Sequence, residues 1–358
     1  MILAGLLRLA LLRALRPAFC LLVAALLAWA LATSRVPSTA LLAAGSEQAP
    51  LWEHGALRAS AWTIAVLCCT GWLGLQALQT LAGWRRRDVD WMAPRGASAT
   101  ALLCSSWSGL LCAALILGLS TAAAVEACAG GGSASWIEGP RAFDSPGGWV
   151  GSGTENHVLL ATGALPRGTR LRLAFAFGSG GPQVHVRAVL VDRPGGRELA
   201  RSEQSVGTHG ELELALPDCP PGAELRLSIG DPELRVYHDA EAARVWLPVA
   251  HEGLASLSML ARLLLDAGSC CALALGISGW FSTATAVFTL ATLALLVLVS
   301  GAGAEWLPLA DLGDALHVLQ EGRVPALPGL PRIAAAAALC AGGLALGAAS
   351  LVRWRRER

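Results

Sequence analysis

Apolar residues along this chain gather in six long runs, at about 17–33, 60–83, 99–124, 258–279, 282–302 and 333–352. A helix needs about 20 apolar residues to cross the hydrocarbon core of a bilayer, so each run predicts a transmembrane helix. The fourth and fifth runs meet at Gly279-Trp280-Phe281-Ser282. Together they are too long for one span even when tilted, which predicts a tight hairpin. Between the third and fourth runs the pattern changes. Leu171, Leu173, Phe175 and Phe177 alternate with Arg172, Ala174 and Ala176. Val184 and Val186 alternate with His185 and Arg187, and Leu212, Leu214 and Leu216 with Glu211 and Glu213. Leu225, Leu227 and Ile229 follow the same rule, as do Leu234 and Val236. A period of two marks half-buried strands. The segments Gly178-Ser179-Gly180-Gly181-Pro182, Pro194-Gly195-Gly196 and Pro220-Pro221-Gly222 supply turns. Seven or eight short strands at this spacing predict a β-sandwich or a jelly roll over 129–255, long enough to bury its own core. The expected fold is a polytopic α-helical membrane protein of about six transmembrane helices with an inserted all-β extracytoplasmic sandwich.

Composition supports the membrane assignment. Hydrophobic residues make up 54% of the chain and charged residues 15%, against roughly 25% charged in soluble domains. The net charge of +1 and the lack of a basic aromatic patch give no sign of nucleic-acid binding. All 27 basic residues are Arg, and with abundant Ala and Leu this suggests a high-GC bacterial genome. A phosphate-binding Walker loop needs a Lys, which this chain lacks, so ATP hydrolysis would belong to another subunit.

The Arg positions set an orientation by the positive-inside rule. Arg8, Arg13 and Arg16 precede the first run, Arg85, Arg86, Arg87 and Arg95 lie between the second and third, and Arg353, Arg355, Arg356 and Arg358 follow the sixth. The segments 34–59 and 303–332 are richer in acid (Glu47, Glu53, Glu305, Asp311, Asp314, Glu321). Both termini then face the cytoplasm of a multi-pass inner-membrane protein. The expected parts are a helix at 1–16, spans one to three over 17–128 with a cytoplasmic loop at 84–98, the outside domain at 129–255, spans four to six over 256–352 and a basic tail at 353–358. Two readings of the start stand: an amphipathic helix on the membrane lipid leading into span one, or a signal peptide ending near Ala28-Trp29-Ala30. Residues 307–320 mix Leu307, Leu309, Leu312, Leu316 and Leu319 with Asp311, Asp314 and His317, predicting a short amphipathic helix at the outer surface.

Catalytic chemistry is hard to place. His157, His185, His209, His238 and His251 fall in the outside domain without metal-ligand spacing, and no cofactor is expected. Most Cys residues lie in the apolar runs, where they pack as small apolar side chains. Cys128 and Cys219 are the exceptions: they form one disulfide in an oxidising compartment, or Cys128 belongs to the membrane end of span three. Arg262 and Asp266, four apart on one helix face, stand near the outer end of span four. They pair with each other at the interface or line a water-filled vestibule. Glu126 stands at the outer end of span three. No ionisable residue is expected at mid-bilayer, which argues against proton- or ion-coupled transport.

This succession resembles the permease subunit of an ABC transporter of the type-2 exporter class, in a form carrying a large extracytoplasmic β-domain. The elements are the N-terminal helix, the basic loop, the hairpin at Gly279–Ala286, the helix around Gly313-Asp314-Ala315-Leu316 and the Pro-containing approach to the last span. The resemblance implies a homodimer, or a heterodimer with a related permease, and a cytosolic ABC ATPase subunit. It places ATPase coupling at Trp84, Arg85, Arg86, Arg87, Asp88, Asp90 and Trp91, in a loop shorter than is usual for that class. From the residues alone, the same loop serves as a positive-inside anchor. The alternative to a permease is a non-transporting scaffold or sensor whose β-domain binds a ligand or a periplasmic protein.

Overall fold

The computed structural model describes residues 2–34, 49–83, 98–129, 136–139, 143–144, 148–150, 157–176, 184–193, 195–206, 211–230, 236–248, 253–300, 308–320 and 322–357. The chain divides into two compact units, a helical one of Met1–Ser133 with His251–Arg358 and a β-unit of Ala134–Ala250. The β-unit thus starts five residues after, and ends five residues before, the expected limits of 129 and 255.

The helical unit contains α1 (Ile2–Ala14), α2 (Pro17–Ser34), α3 (Ala49–Gly83), α4 (Ala99–Ala129), α5 (Leu254–Ser278), α6 (Thr283–Ser300), α7 (Leu312–Gln320) and α8 (Leu330–Glu357). Four segments are long and apolar enough to cross a membrane: Gly55–Thr80, Ala99–Cys128, Leu254–Ser278 and Leu330–Trp354. A fifth arises if Leu7–Ala14 and Pro17–Trp29, bent by 46°, count as one broken span. Among the described residues, four or five of the expected six spans are therefore found; α6 is an apolar helix of 18 residues, of which Thr283–Thr292 enter that count. The bend between α1 and α2 follows from Pro17, which cannot continue the hydrogen-bond ladder of a preceding helix. The Trp72 indole N–H donates to the Ala14 carbonyl left over there (2.8 Å), and Phe19 stacks on Trp72 at 4.7 Å.

The helix α1, expected as an amphipathic surface helix, presses Ala10 and Ala14 into the bundle and leaves Arg8 and Arg16 exposed. It meets α4 at Gly109, where an added Cβ would lie 2.7 Å from the Leu7 carbonyl oxygen. A second close crossing joins α5 and α8, since a Cβ on Gly276 would lie 2.7 Å from the Gly343 carbonyl oxygen. Small residues at such crossings let helix backbones approach closely where no hydrophobic effect drives association. The shared core includes Trp62, Leu73, Leu103, Leu110, Met259, Leu263 and Leu275.

The β-unit holds two antiparallel sheets. Its strands are β1 (Trp136–Glu138), β2 (Phe143–Asp144), β3 (Gly148–Val150), β4 (His157–Ala161), β5 (Arg170–Ala176), β6 (Val184–Asp192), β7 (Arg197–Val206), β8 (Glu211–Ala215), β9 (Glu224–Ile229) and β10 (Val236–Pro248). One sheet runs β1-β10-β5-β8 with β3 also on β10, and the other runs β2-β4-β9-β6-β7. Strands β3 to β10 therefore alternate between the sheets as β3-β10-β5-β8 and β4-β9-β6-β7, the jelly-roll order of two interleaved Greek keys. Leu171, Leu173 and Phe175 from one sheet and Val186, Leu190 and Leu227 from the other share one apolar core. The alternation read from the sequence is visible in β6, where Val184, Val186 and Ala188 are buried while His185 and Arg187 are exposed.

Candidate functional site

Four charged side chains cluster within the helical unit. Arg262 and Asp266 come from α5, Arg332 from the first turn of α8, and Asp311 from the turn that leads into α7. The Arg332 Nη2 donates to Asp266 Oδ1 at 2.5 Å and lies 3.6 Å from Asp311 Oδ1. Arg262 Nη2 lies 3.5 Å from Asp311 Oδ2. The Leu309 backbone N–H also donates to Asp266 Oδ1, at 3.2 Å. Leu309 takes a φ of 69°, a conformation uncommon for a residue with a Cβ and one that costs energy when the surroundings impose it. The turn is thus held in an unfavourable backbone state while its amide serves the carboxylate.

The expectation that Arg262 and Asp266 pair with each other at a helix end is corrected. Asp266 stands at the middle of α5, thirteenth of its 25 residues, with a side chain only 2% exposed. Each of the two residues has a partner from outside α5. The reason is reach: Asp311 and Arg332 arrive from other segments and offer better-placed partners than a neighbour on the same helix. Sequence reading placed Arg332 in an outer loop because the last apolar run starts at 333. The helix in fact starts at Leu330, with Pro331 in its first turn, where Pro is tolerated.

The cluster is not fully satisfied. Asp266 Oδ2 and the Nε and Nη1 of Arg262 are buried without a hydrogen-bond partner. Buried polar groups without partners are expensive to keep.

A second buried polar group lies elsewhere in the same unit. Arg58 Nη2 donates to Glu126 Oε2 at 3.2 Å, and Ser256 Oγ donates to Glu126 Oε1 at 2.5 Å. Sequence reading left Arg58 in an outer segment, yet α3 begins at Ala49 and carries Arg58 buried against α4.

An apolar cavity of about 360 Å³ lies between α3, α5 and α6, lined among others by Gly71, Gly74, Cys270, Val287, Leu290 and Leu309. Leu309 belongs both to its wall and to the charged cluster.

The remaining candidates fare differently. Trp84, Arg85, Arg86, Arg87, Asp88, Asp90 and Trp91 lie outside the described residues. Cys128 and Cys219, expected as one disulfide or as separate residues, are both free thiols in this structure, with Cys128 in α4 of the helical unit and Cys219 in the β-unit. Cys219 is 2% exposed in the sandwich core, its backbone paired with that of Leu165, and burial pushes its thiol pKa up. Among the described residues no group of His, Cys, Asp and Glu could hold a metal. His238 packs inside the sandwich beside Phe175, with ring centroids 5.7 Å apart. Missed by sequence reading was an exposed aromatic pair on neighbouring strands of the jelly roll, Trp149 and Tyr237, edge to face at 5.5 Å. The alternation at Leu234 and Val236 put Tyr237 on the outward face, but the three-residue strand of Trp149 is too short to show a pattern. No protein-family model matches the chain, and no curated protein matches it.

Proposed function

We propose that the chain is a permease subunit of an ATP-driven transporter, set in the inner membrane with both termini in the cytoplasm and the jelly roll outside. The observation that carries this reading is the four-charge cluster of the helical unit, with Asp266 and Arg262 buried on α5. Ionisable residues inside membrane helices are costly to keep and mark substrate or ion pathways. A scaffold that merely anchors an outside domain has no use for ion pairs kept among its helices. The chain works as a dimer around its path and receives energy from a cytosolic ATPase subunit, because a chain without Lys cannot form a Walker loop. The basic loop from Trp84 to Trp91 is the proposed docking point.

Purification of the tagged full-length protein in mild detergent, followed by mass spectrometry of what accompanies it, tests the reading. A stoichiometric ATPase, lost when Arg85, Arg86 and Arg87 are each replaced by Glu, supports it. Recovery without an ATPase, beside a control ABC complex that stays intact, overturns it. The second reading, a sensor or scaffold, draws on the exposed Trp149–Tyr237 pair. It predicts an outside ligand whose binding is lost in Trp149→Ala and is indifferent to the Arg85–Arg87 charge reversal.

A further inference from the structure

The helix α7 and the turn before it are attached to the bundle by few groups. The helix has nine residues and buries three of them, Leu312, Ala315 and Leu319. Its body packs on α3, where Gly55 admits the Gln320 carbonyl so closely that a Cβ would overlap it. The turn before α7 sits on α5 through polar contacts. The Leu309 N–H donates to Asp266, and the Asp311 carboxylate lies 3.5 Å from Arg262 and 3.6 Å from Arg332. Both ion pairs are long and the Asp311 side chain is 32% exposed, so water and salt reach them. Each end of α7 has a residue with left-handed backbone, Leu309 with φ 69° and Gly322 with φ 76°. Gly322 is at ease there: its N–H donates to the Leu319 carbonyl and the Arg323 N–H to the Val318 carbonyl, which closes the helix in a Schellman turn. Leu309 carries a Cβ and is strained.

We propose that residues 308–320 form a cover over Arg262 and Asp266 that lifts on its two left-handed turns, and that Asp311 is its latch. Seated, the cover holds Leu309 in its strained state and leaves Asp266 Oδ2 and the Nε and Nη1 of Arg262 without partners. Lifting it relaxes the Leu309 backbone and admits water to those atoms. Against this, three apolar side chains lose their buried place and the two ion pairs of Asp311 break. Few groups stand on either side of that balance, which is the condition for two states close in free energy. The Asp266–Arg332 pair joins α5 to α8 without α7, so the bundle beneath the cover keeps its shape. The inference stands whether or not the chain is a permease.

The test reads the reactivity of a thiol under the cover. Ala315→Cys places one on the buried face of α7, where the alanine is 3% exposed. The full-length protein in phosphatidylcholine nanodiscs is treated with N-ethylmaleimide, and the modification of each cysteine is followed in time by mass spectrometry of its peptide. The native Cys271, buried on α5, reports unfolding of the bundle itself. Adding Asp311→Asn is expected to speed modification of the introduced thiol about tenfold, equivalent to ~1.4 kcal/mol in the opening equilibrium, while Cys271 stays unmodified. Gly55→Ala drives a methyl group into the Gln320 carbonyl and is expected to act in the same direction from the other end of α7. Raising sodium chloride from about 0.05 M to about 0.5 M is expected to speed the introduced thiol when Asp311 is present and to leave it unchanged in Asp311→Asn, because screening then has no latch to weaken. A general loosening of the bundle would not carry that signature. Unchanged reactivity in both Asp311→Asn and Gly55→Ala overturns the cover. Equal acceleration at the introduced thiol and at Cys271 overturns it as well, since the segment then opens only with the whole bundle. A salt response that persists in Asp311→Asn overturns the latch.

Discussion

The two units of this protein treat charge in opposite ways. In the jelly roll the core is mostly apolar, with His238 a buried titratable side chain, and ion pairs such as Arg187–Glu203 sit on the surface with side chains 45% and 61% exposed. In the helical unit Asp266, Arg262 and Arg58 are buried, and the Arg332 side chain is only 11% exposed. A β-sandwich facing water gains stability by sorting apolar residues inward. A helical bundle in lipid gains little from that sorting, because lipid is as apolar as its core. Charge kept inside such a bundle therefore calls for a reason beyond folding, while charge on the sandwich needs none.

The sharpest test of that contrast is the removal of one charge from the cluster. Asp266→Leu leaves Arg332 without its carboxylate and deprives the Leu309 amide of its acceptor. The expected loss is about 3–5 kcal/mol, typical when one partner of a buried pair is removed. Asp266→Leu combined with Arg332→Leu should recover part of that loss, because the guanidinium that keeps only its longer contact to Asp311 is then also removed. Chemical unfolding of the full-length protein in nanodiscs, followed by Trp fluorescence, reads both variants. A double variant less stable than the single one would show that the cluster holds the fold together by attraction and would weaken its functional reading.

Two further substitutions grade the contrast. Leu171→Ala in the sandwich core opens a cavity where no charge is involved, and should cost about 2–5 kcal/mol. Its effect should be read as a lower denaturant midpoint for the β-unit, followed by hydrogen exchange of its strands. Arg58→Leu should cost less, about 1–3 kcal/mol, because Glu126 remains 27% exposed and keeps its bond to Ser256. If Arg58→Leu proves as damaging as Asp266→Leu, the two polar groups of the helical unit are equivalent in kind and the central one loses its special standing.

What could be read from the chain differs between the units for physical reasons. The strands β5, β6, β8 and β9 were legible because each has one face on the core, so apolar and polar residues alternate. The strand β7, Arg197-Glu198-Leu199-Ala200-Arg201-Ser202-Glu203-Gln204-Ser205-Val206, was not. It is an edge strand on the outside of its sheet, held mainly by backbone pairing to β6, and edge strands carry charge that hides the pattern. In the helical unit hydropathy marked the spans but not their true ends, because it penalises every Arg. Arg58 and Arg332 were pushed into loops for that reason, although tertiary partners bury both. Of the charged cluster, the pair Arg262 and Asp266 was visible through its spacing of four. The partners Asp311 and Arg332 come from distant segments, and no local pattern announces such a meeting. Leu309 contributes through its backbone, which leaves no mark in residue type.

The smallest expected effect closes the comparison. Glu203→Ala on β7 removes the partner of Arg187, which stands directly opposite on β6 in the antiparallel register. Both side chains are well exposed, so water replaces most of what the pair provides, and exposed pairs contribute about 0.2–1 kcal/mol. The unfolding midpoint should therefore move barely, and it should move less at high salt, where screening already weakens the attraction. A loss comparable to that of Asp266→Leu would mean that the face carrying this pair is covered in the working assembly. The sandwich would then share the burden of buried charge, and the division drawn between the two units would fail.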